Sequence, residues 1–257
     1  MKLEKMTDND YFAVPRLSNS FLKDFEISPA YALRDRKPTT SMSLGTMVHC
    51  YILEKEDFYN RYTVYPGKAD KRTKEYKQFV DENPGKEIIS SEDLIILESI
   101  KDSISEQMID NEPILQVIEQ SKTEIAGFFD VAVNGKTVEC KMKIDSLYNS
   151  TIIDLKTTSD LAINFDYSVK KYKYYMQDAF YRLGLSKILQ KPVDFYFLVV
   201  ETSAPFGCKV CKLSDEYRAY ADEQVLKQIE KYSEWSGFPE RYSNDLQVIK
   251  KPSWLGE

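Results

Sequence analysis

Two opposite charges stand two residues apart in an apolar segment of the sequence. The segment STIIDLKTT, residues 150–158, carries Asp154 and Lys156, and Asp145 precedes Asp154 by nine residues. Side chains alternate in direction along a strand, so Asp154 and Lys156 must point to the same face of a sheet. A carboxylate and an ammonium in this arrangement form either an ion pair or a chemical site.

The chemical alternative is a metal site. Mg²⁺ takes oxygen ligands, usually one or two carboxylates together with water and a substrate phosphate. Asp145 and Asp154 could supply them, because the short SLYNS turn brings the second strand back beside the first. Lys156 could then hold the attacking water or stabilise charge on a phosphate, as hydrolysis of a phosphodiester requires. The competing interpretation is a surface ion pair, the usual role of an Asp-x-Lys triplet.

The composition is that of an ordinary globular protein. The 257 residues are 42% hydrophobic and 30% charged, which is enough apolar material for one large domain. We expect a cytoplasmic protein, because no apolar segment approaches the length of a membrane span and the first residues lack a signal-peptide core. The net charge of −6 argues weakly against nucleic-acid binding over a large surface, but it allows a local basic groove.

The four cysteines are too few and too scattered for a disulfide framework. Cys208 and Cys211 form a single C-x-x-C, and a zinc site would need a second pair at matching spacing. We therefore interpret them as ordinary half-buried thiols.

The elements that must position the charged residues fall into two parts of a single domain, residues 1–257. Residues 1–120 have mostly helical periodicity, and residues 121–257 form the part that contains the sheet. The helices expected in the first part are one capped by Ser18, one over 44–58, one near 73–82 and two near 90–109 and 112–120.

The second part predicts a sheet with helices on both sides. Asn134-Gly135 joins two alternating segments as a tight hairpin, and residues 150–158 form the next strand. A helix that closes at Gly184 follows, then the apolar strand VDFYFLVVET, the strand FGCKVCKL and a helix capped by Ser214. The fold class is therefore α/β, and ligands of such sheets bind at strand ends.

The motifs together resemble a known superfamily. KIDSLYNSTIIDLKTT is similar to the D…(D/E)-x-K core of the PD-(D/E)XK nucleases, and YYMQDAFY resembles the Gln-x-x-x-Tyr helix of their RecB-like branch. Upstream, LSNSFLKDFEISPAYAL and LGTMVHCYILE resemble signatures of RecE-type exonucleases, also called exonuclease VIII, which are phage-derived and digest double-stranded DNA from its ends. The resemblance implies a restriction-endonuclease-like core: a mixed central β-sheet flanked by helices, with a helical N-terminal region.

The resemblance also assigns roles to particular residues. It makes Asp145 and Asp154 ligands of a metal ion, adds the Leu155 backbone carbonyl as a ligand, and makes Lys156 the catalytic lysine. We therefore expect Lys156 to interact with water and phosphate rather than with Asp154. His49, the one histidine of the sequence, stands where the family places a metal-ligating histidine. Taken alone, a histidine on an apolar helix is more often a hydrogen-bonded core residue.

Further positions have two explanations each. Glu124 falls near an acidic position used in related nucleases, although an exposed residue at a strand start explains it equally well. Gln177 and Tyr181 share one helical face and would position the lysine and the DNA end, or would only pack the helix. The basic residues that would contact phosphate, or would only form solvated faces, are Lys141, Lys143, Lys170, Lys171 and Lys173.

The activity implied by the resemblance is that of a Mg²⁺-dependent exodeoxyribonuclease, with Mn²⁺ as an alternative ion. Such an enzyme degrades linear double-stranded DNA in the 5′→3′ direction and leaves 3′ single strands for recombination. The expected partners are DNA ends, a single-strand annealing protein and further copies of the chain in a ring. The alternatives are a structure-selective endonuclease on the same fold and a catalytically silent DNA-binding module, and the complete set of charged residues speaks against the silent module.

Overall fold

The computed structural model describes residues 1–35, 44–66, 70–242, 246 and 248–251. The strands formed by these residues are β1 (Lys2–Lys5), β2 (Leu17–Ser18), β3 (Tyr62–Tyr65), β4 (Glu87–Ser90), β5 (Met108–Ile109), β6 (Glu112–Pro113), β7 (Lys122–Val133), β8 (Lys136–Tyr148), β9 (Thr151–Thr158), β10 (Asp194–Glu201) and β11 (Cys208–Cys211). The α-helices are α1 (Asp8–Ala13), α2 (Asn19–Ile27), α3 (Pro29–Ala32), α4 (Leu44–Leu53), α5 (Lys55–Arg61), α6 (Lys74–Glu82), α7 (Ser91–Ser105), α8 (Ile114–Glu119), α9 (Phe165–Lys171), α10 (Tyr174–Leu189) and α11 (Asp215–Glu234), and a 3₁₀ turn covers Ala162–Asn164.

Seven strands form the central sheet, in the order β1-β7-β8-β9-β10-β11, with β2 paired beside β8. β9 and β10 are parallel, as are β2 and β8, whereas the other neighbours in this sheet are antiparallel. The predicted mixed sheet is therefore confirmed. β7 and β8 meet at Asn134 and Gly135, both with positive φ, as the predicted two-residue hairpin requires.

The sheet separates two apolar cores. On one face it packs against α2, α10 and α11, and on the other face against α4, α7 and α8. β9 shows the alternation that places its side chains: Ile152 belongs to the first core, and Ile153 and Leu155 belong to the second. Asp154 and Lys156 consequently project on the α10 side, because they share the direction of Ile152.

The N-terminal part of the chain contributes to the sheet more than its helical periodicity predicted. β1 pairs with β7, and β2 pairs with β8. Strands of four and two residues are too short to show a periodic pattern, so they could not be predicted from the sequence. The predicted caps at Ser18 and Ser214 each accept a backbone N–H of the following helix, and Ser90 caps α7 in the same way.

Two helices differ from the prediction. The helix expected over 44–58 is broken at Glu54 into α4 and α5. α10 continues through Gly184 to Leu189 instead of closing at the glycine. Gly184 lies against the Phe129 ring, where an added Cβ would stand 2.5 Å from Cε1, so this glycine permits close packing of α10 on β7. Among the described residues, no helix combines the length and the apolar character that crossing a membrane demands.

Candidate active site

β8 and β9 separate at the point where the sequence places its paired charges. Their backbone pairing ends at Ser146 and Ile153. One step further, the N–H of Leu155 donates to Oδ2 of Asp145 at 2.9 Å, so a side chain takes the place of the next strand partner. The Asp145 carboxylate is thereby fixed in the fork between the two strands.

Glu124 lies opposite Asp145 on β7. The β7–β8 pairing includes Thr123 with Ser146 and Ile125 with Ile144, and it skips the position between them. Glu124 has a φ of 54°, a left-handed conformation that costs a residue with a side chain about 1–3 kcal/mol. Strain of this kind is typical of functional sites, and here it accompanies a carboxylate that faces Asp145.

His49 reaches the fork from α4. Its Nδ1 lies 3.8 Å from Oδ2 of Asp145, and the imidazole also makes a hydrogen bond to the Leu155 carbonyl. Burial and the Lys156 ammonium lower the pKa of His49, which favours the neutral imidazole that metal ions bind. His49, Glu124 and Asp145 each offer one donor atom within 4.8 Å of the others.

These three donors fit a divalent cation. Burial and the Asp154 carboxylate raise the pKa of Asp145 well above its usual value, because ionisation there adds negative charge to a crowded pocket. A cation removes that penalty, and two carboxylates with one imidazole are ligands that divalent metals accept. Of the predicted ligands, His49 and Asp145 lie in this cluster, and Glu124 joins them. The Asp154 carboxylate contacts Gln177 and Lys156, and the Leu155 carbonyl as a further ligand stays a prediction.

Asp154 lies beside these three candidate ligands and forms an ion pair with Lys156. Its Oδ1 accepts a hydrogen bond from Nε2 of Gln177 at 2.6 Å, and its Oδ2 contacts the Lys156 ammonium. Burial opposes the charged form of Lys156, but Asp154 and Asp145 outweigh it and raise the pKa of the lysine. Lys156 and Asp154 form an ion pair in this structure, and the predicted role of Lys156 toward water and phosphate stays a prediction.

Tyr181 follows Gln177 by one turn of α10 and is half-buried. Its ring meets Phe195 edge-on, with centroids 6.2 Å apart. Burial and the charges of Asp154 and Asp145 are among the causes that raise the pKa of Tyr181, so the hydroxyl remains a proton donor at the edge of the cluster.

The two lysines of β8 have different surroundings. Lys141 is buried and donates to the carbonyls of Tyr11 and Val14, at 2.8 and 2.7 Å, at the end of α1. This corrects the prediction of a DNA contact for Lys141, because its ammonium is already occupied inside the protein. Lys143 contacts both Asp8 of α1 and Oε2 of Glu124.

The other predicted basic residues lie on the segment after β9. Lys170 and Lys171 are exposed on α9. Lys173 pairs with Glu26 at 2.7 Å, so its charge is partly compensated.

A cleft of about 820 Å³ opens beside the three candidate metal ligands. Its walls include His49, Glu124, Lys143 and the N-terminal segment 5–8. The sequence pattern did not identify Asp8 as a residue near the site, because nothing local distinguishes it from any other acidic residue in a first helical turn. Its link to Glu124 through Lys143 depends on how α1 packs on β8.

The mixed sheet flanked by helices fits the restriction-endonuclease-like core of the PD-(D/E)XK superfamily. Residues 18–239 match the family described as "PDDEXK-like domain of unknown function (DUF3799)", and the chain belongs to this family. The matched region begins after α1, so Asp8 lies outside it.

A solved structure supports the fold. The crystal structure named "Putative exonuclease" from Eubacterium rectale is similar over 97% of this chain and 96% of its own, with a TM-score of 0.59 and 16% identity. The structure of SSO0001 covers 84% of this chain and 86% of its own at 17% identity, and its TM-score of 0.30 carries no argument. The comparison with curated proteins gave no match.

Proposed function

We propose that the protein is a divalent-metal-dependent exodeoxyribonuclease of the RecE type. It would hydrolyse linear double-stranded DNA in the 5′→3′ direction and leave 3′ single strands for recombination. The observation that carries the proposal is the convergence of His49, Glu124 and Asp145 within 4.8 Å, next to the Asp154–Lys156 ion pair. The resemblance of the motifs to RecE-type enzymes supports the polarity and the requirement for an end.

The proposed cofactor is Mg²⁺, with Mn²⁺ as an alternative. His49, Glu124 and Asp145 would hold it, and Asp154 is the further carboxylate within the same fork. A bound divalent cation supplies polarisation of a phosphate and a lowered pKa for bound water.

The remaining residues of the site have roles that follow from their contacts. Lys156 keeps a positive charge beside the two aspartates, so it can stabilise negative charge that develops on a phosphate. Gln177 holds Oδ1 of Asp154 and thereby fixes the carboxylate that orients Lys156. Tyr181 keeps its proton because its pKa is raised, so its hydroxyl can donate a hydrogen bond.

Two further parts of the proposal come from the resemblance. We propose that copies of the chain form a ring around DNA, and that a single-strand annealing protein acts on the product strand. Among the predicted phosphate contacts, Lys143 at the cleft and Lys170 and Lys171 on α9 have positions that suit this role.

The decisive experiment compares linear duplex DNA with covalently closed circles, each in Mg²⁺ and in EDTA. We expect loss of linear DNA only, and only in Mg²⁺, with 5′-labelled ends released first. Cutting of the closed circles at an equal rate would instead support the endonuclease. No hydrolysis of either substrate, with no binding of Mg²⁺ or Mn²⁺, would support the silent DNA-binding module.

The same assay tests the site residues. Asp154→Ala should reduce hydrolysis at least about a hundredfold, because it removes the partner of Lys156 and a carboxylate of the fork. Asp194→Ala is the control, since Asp194 also pairs with basic side chains but lies on β10 beside Lys212 and Arg218. An active Asp154→Ala variant would remove Asp154 from the mechanism.

A further inference from the structure

An aromatic and basic surface extends outward from the candidate site along residues 161–174. The Lys156 ammonium lies 4.9 Å from the centre of the Tyr174 ring. The Tyr172 ring follows at 5.6 Å from Tyr174, and the Lys171 ammonium lies 5.1 Å from Tyr172. An unbroken series of ring and ammonium contacts therefore connects Lys156 of the site with the protein surface.

The outer rings of this series are exposed although they are large. Tyr172 is 48% exposed and Tyr167, whose ring lies 5.9 Å from the Lys171 ammonium, is 64% exposed. Leu161 and Ile163, at the start of the same segment, are exposed as well. Several large apolar groups close together on a surface indicate a binding site more often than single exposed residues do.

The exposed rings stand on a packed base. Phe165 and Val169, on α9, are buried in the core on the α10 side of the sheet. The Phe165 ring stacks on Tyr174 with centroids 5.6 Å apart and an interplanar angle of 22°. The rings are thus presented by an anchored helix, which lowers the entropy cost of binding a partner.

The charge of the segment suits a polyanion. Residues 161–174 contain three lysines and one acidic residue, Asp166, in a chain whose net charge is −6. Lys170 and Lys171 are exposed, and the Lys23 ammonium of α2 lies 5.8 Å from the Tyr174 ring. Rings interleaved with lysines are the combination that binds bases by stacking and phosphates by charge.

We infer that Tyr167, Lys171, Tyr172 and Tyr174, here called the aromatic platform, bind the unpaired bases of a DNA strand that enters or leaves the candidate site. This inference rests on the proposed function and specifies which part of the substrate the surface contacts. Stacking on aromatic rings tolerates any base, as degradation without sequence preference requires. The contact between Tyr174 and Lys156 places the stacked bases next to the phosphate that the lysine would face.

The test is the binding of two fluorescent probes in EDTA, where metal-dependent cleavage does not occur. One probe is a blunt duplex, and the other is the same duplex with a single-stranded tail. In fluorescence anisotropy, Tyr172→Leu should weaken binding of the tailed duplex about tenfold and that of the blunt duplex about twofold or less. Tyr172→Trp, which keeps an aromatic face, should retain wild-type binding of both probes.

The matched control is Tyr220→Leu on α11, because Tyr220 is 49% exposed and belongs to a separate group of rings with Tyr175 and Tyr217. The inference is overturned if Tyr172→Leu affects the tailed duplex no more than Tyr220→Leu does, or weakens both probes equally. If Tyr172→Leu gives either of these results and the wild-type protein still digests linear DNA, the aromatic platform does not bind the strand but the proposed function stands. A wild type that binds neither probe and digests no DNA overturns both.

Discussion

Gln177 and Asp178 are adjacent on α10, yet they belong to two buried polar clusters of different character. Gln177 donates to Asp154 in the candidate site. Asp178, which is fully buried, accepts from Nε of Arg182 at 2.5 Å and lies 3.6 Å from Nη2 of Arg218. This second cluster continues to Asp222 on α11 and Asp194 on β10.

The two clusters differ in how well their charges are balanced. The arginine cluster pairs three carboxylates with two guanidinium groups and the Lys212 ammonium. Burial raises the pKa of Asp178, but Arg182 and Arg218 oppose the rise. In the candidate site, burial and the Asp154 carboxylate raise the pKa of Asp145 well above its ordinary value, although Lys156 opposes the rise.

The candidate site has an excess of negative charge. Its three carboxylates, Glu124, Asp145 and Asp154, face two ammonium groups, and Lys143 is shared with Asp8. His49 adds no full charge, because its pKa is lowered. The arginine cluster therefore balances its own charges and links α10 to α11, whereas the candidate site is suited to an added cation.

The largest expected effect on stability comes from the arginine cluster. Asp178→Ala leaves two guanidinium groups without their buried partner, and it should lower the free energy of unfolding by about 3–5 kcal/mol. Denaturant titration measures this change. The control is Asp222→Ala, whose side chain is 47% exposed and whose loss should cost about 1 kcal/mol or less. Equal effects of the two variants would contradict the structural role of Asp178.

A smaller, pH-dependent effect should distinguish the candidate site. Asp145→Asn keeps an acceptor for the Leu155 N–H and removes the titrating group. The folded pKa of Asp145 lies above its ordinary value of 3.8, so the folded state binds more protons than the unfolded state between these two values. Ionisation therefore costs the wild type stability as pH rises through that range, and below it the cost is absent.

Unfolding in EDTA across pH 4–8 measures this difference. The stability of Asp145→Asn relative to wild type should increase with pH, and Mg²⁺ should reduce the difference at neutral pH by stabilising the wild type alone. A difference that stays constant with pH would show that Asp145 is not held in an unfavourable charged state.

The smallest effect should come from the rim of the site. Asp8→Asn leaves Lys143 to pair with Glu124 alone, where the ammonium competes with a cation. Because exposed ion pairs contribute about 1 kcal/mol or less, the Mg²⁺ concentration for half-maximal DNA hydrolysis should rise about two- to fivefold. Asp10→Asn is the control, since Asp10 contacts Thr7 instead of Lys143. An unchanged Mg²⁺ dependence in Asp8→Asn would separate α1 from the site.

Local features were determined by the sequence itself. The period of two along β9 places Asp154 and Lys156 on one face, and Asn134-Gly135 adopts the positive φ angles of a hairpin turn. Ser214 caps α11 through its own side chain. Each of these depends on the backbone geometry of a few neighbouring residues, so the pattern contains the information.

The composition of the site was decided by tertiary structure. Glu124 meets Asp145 through the register of β7 on β8, and His49 arrives from α4, a helix that packs in the second core. Lys141 and Lys143 share a strand and a direction, but α1 covers the first and leaves the second at the cleft. Packing between distant segments fixes which charges meet and which are buried, and a local pattern of residue types does not contain that information.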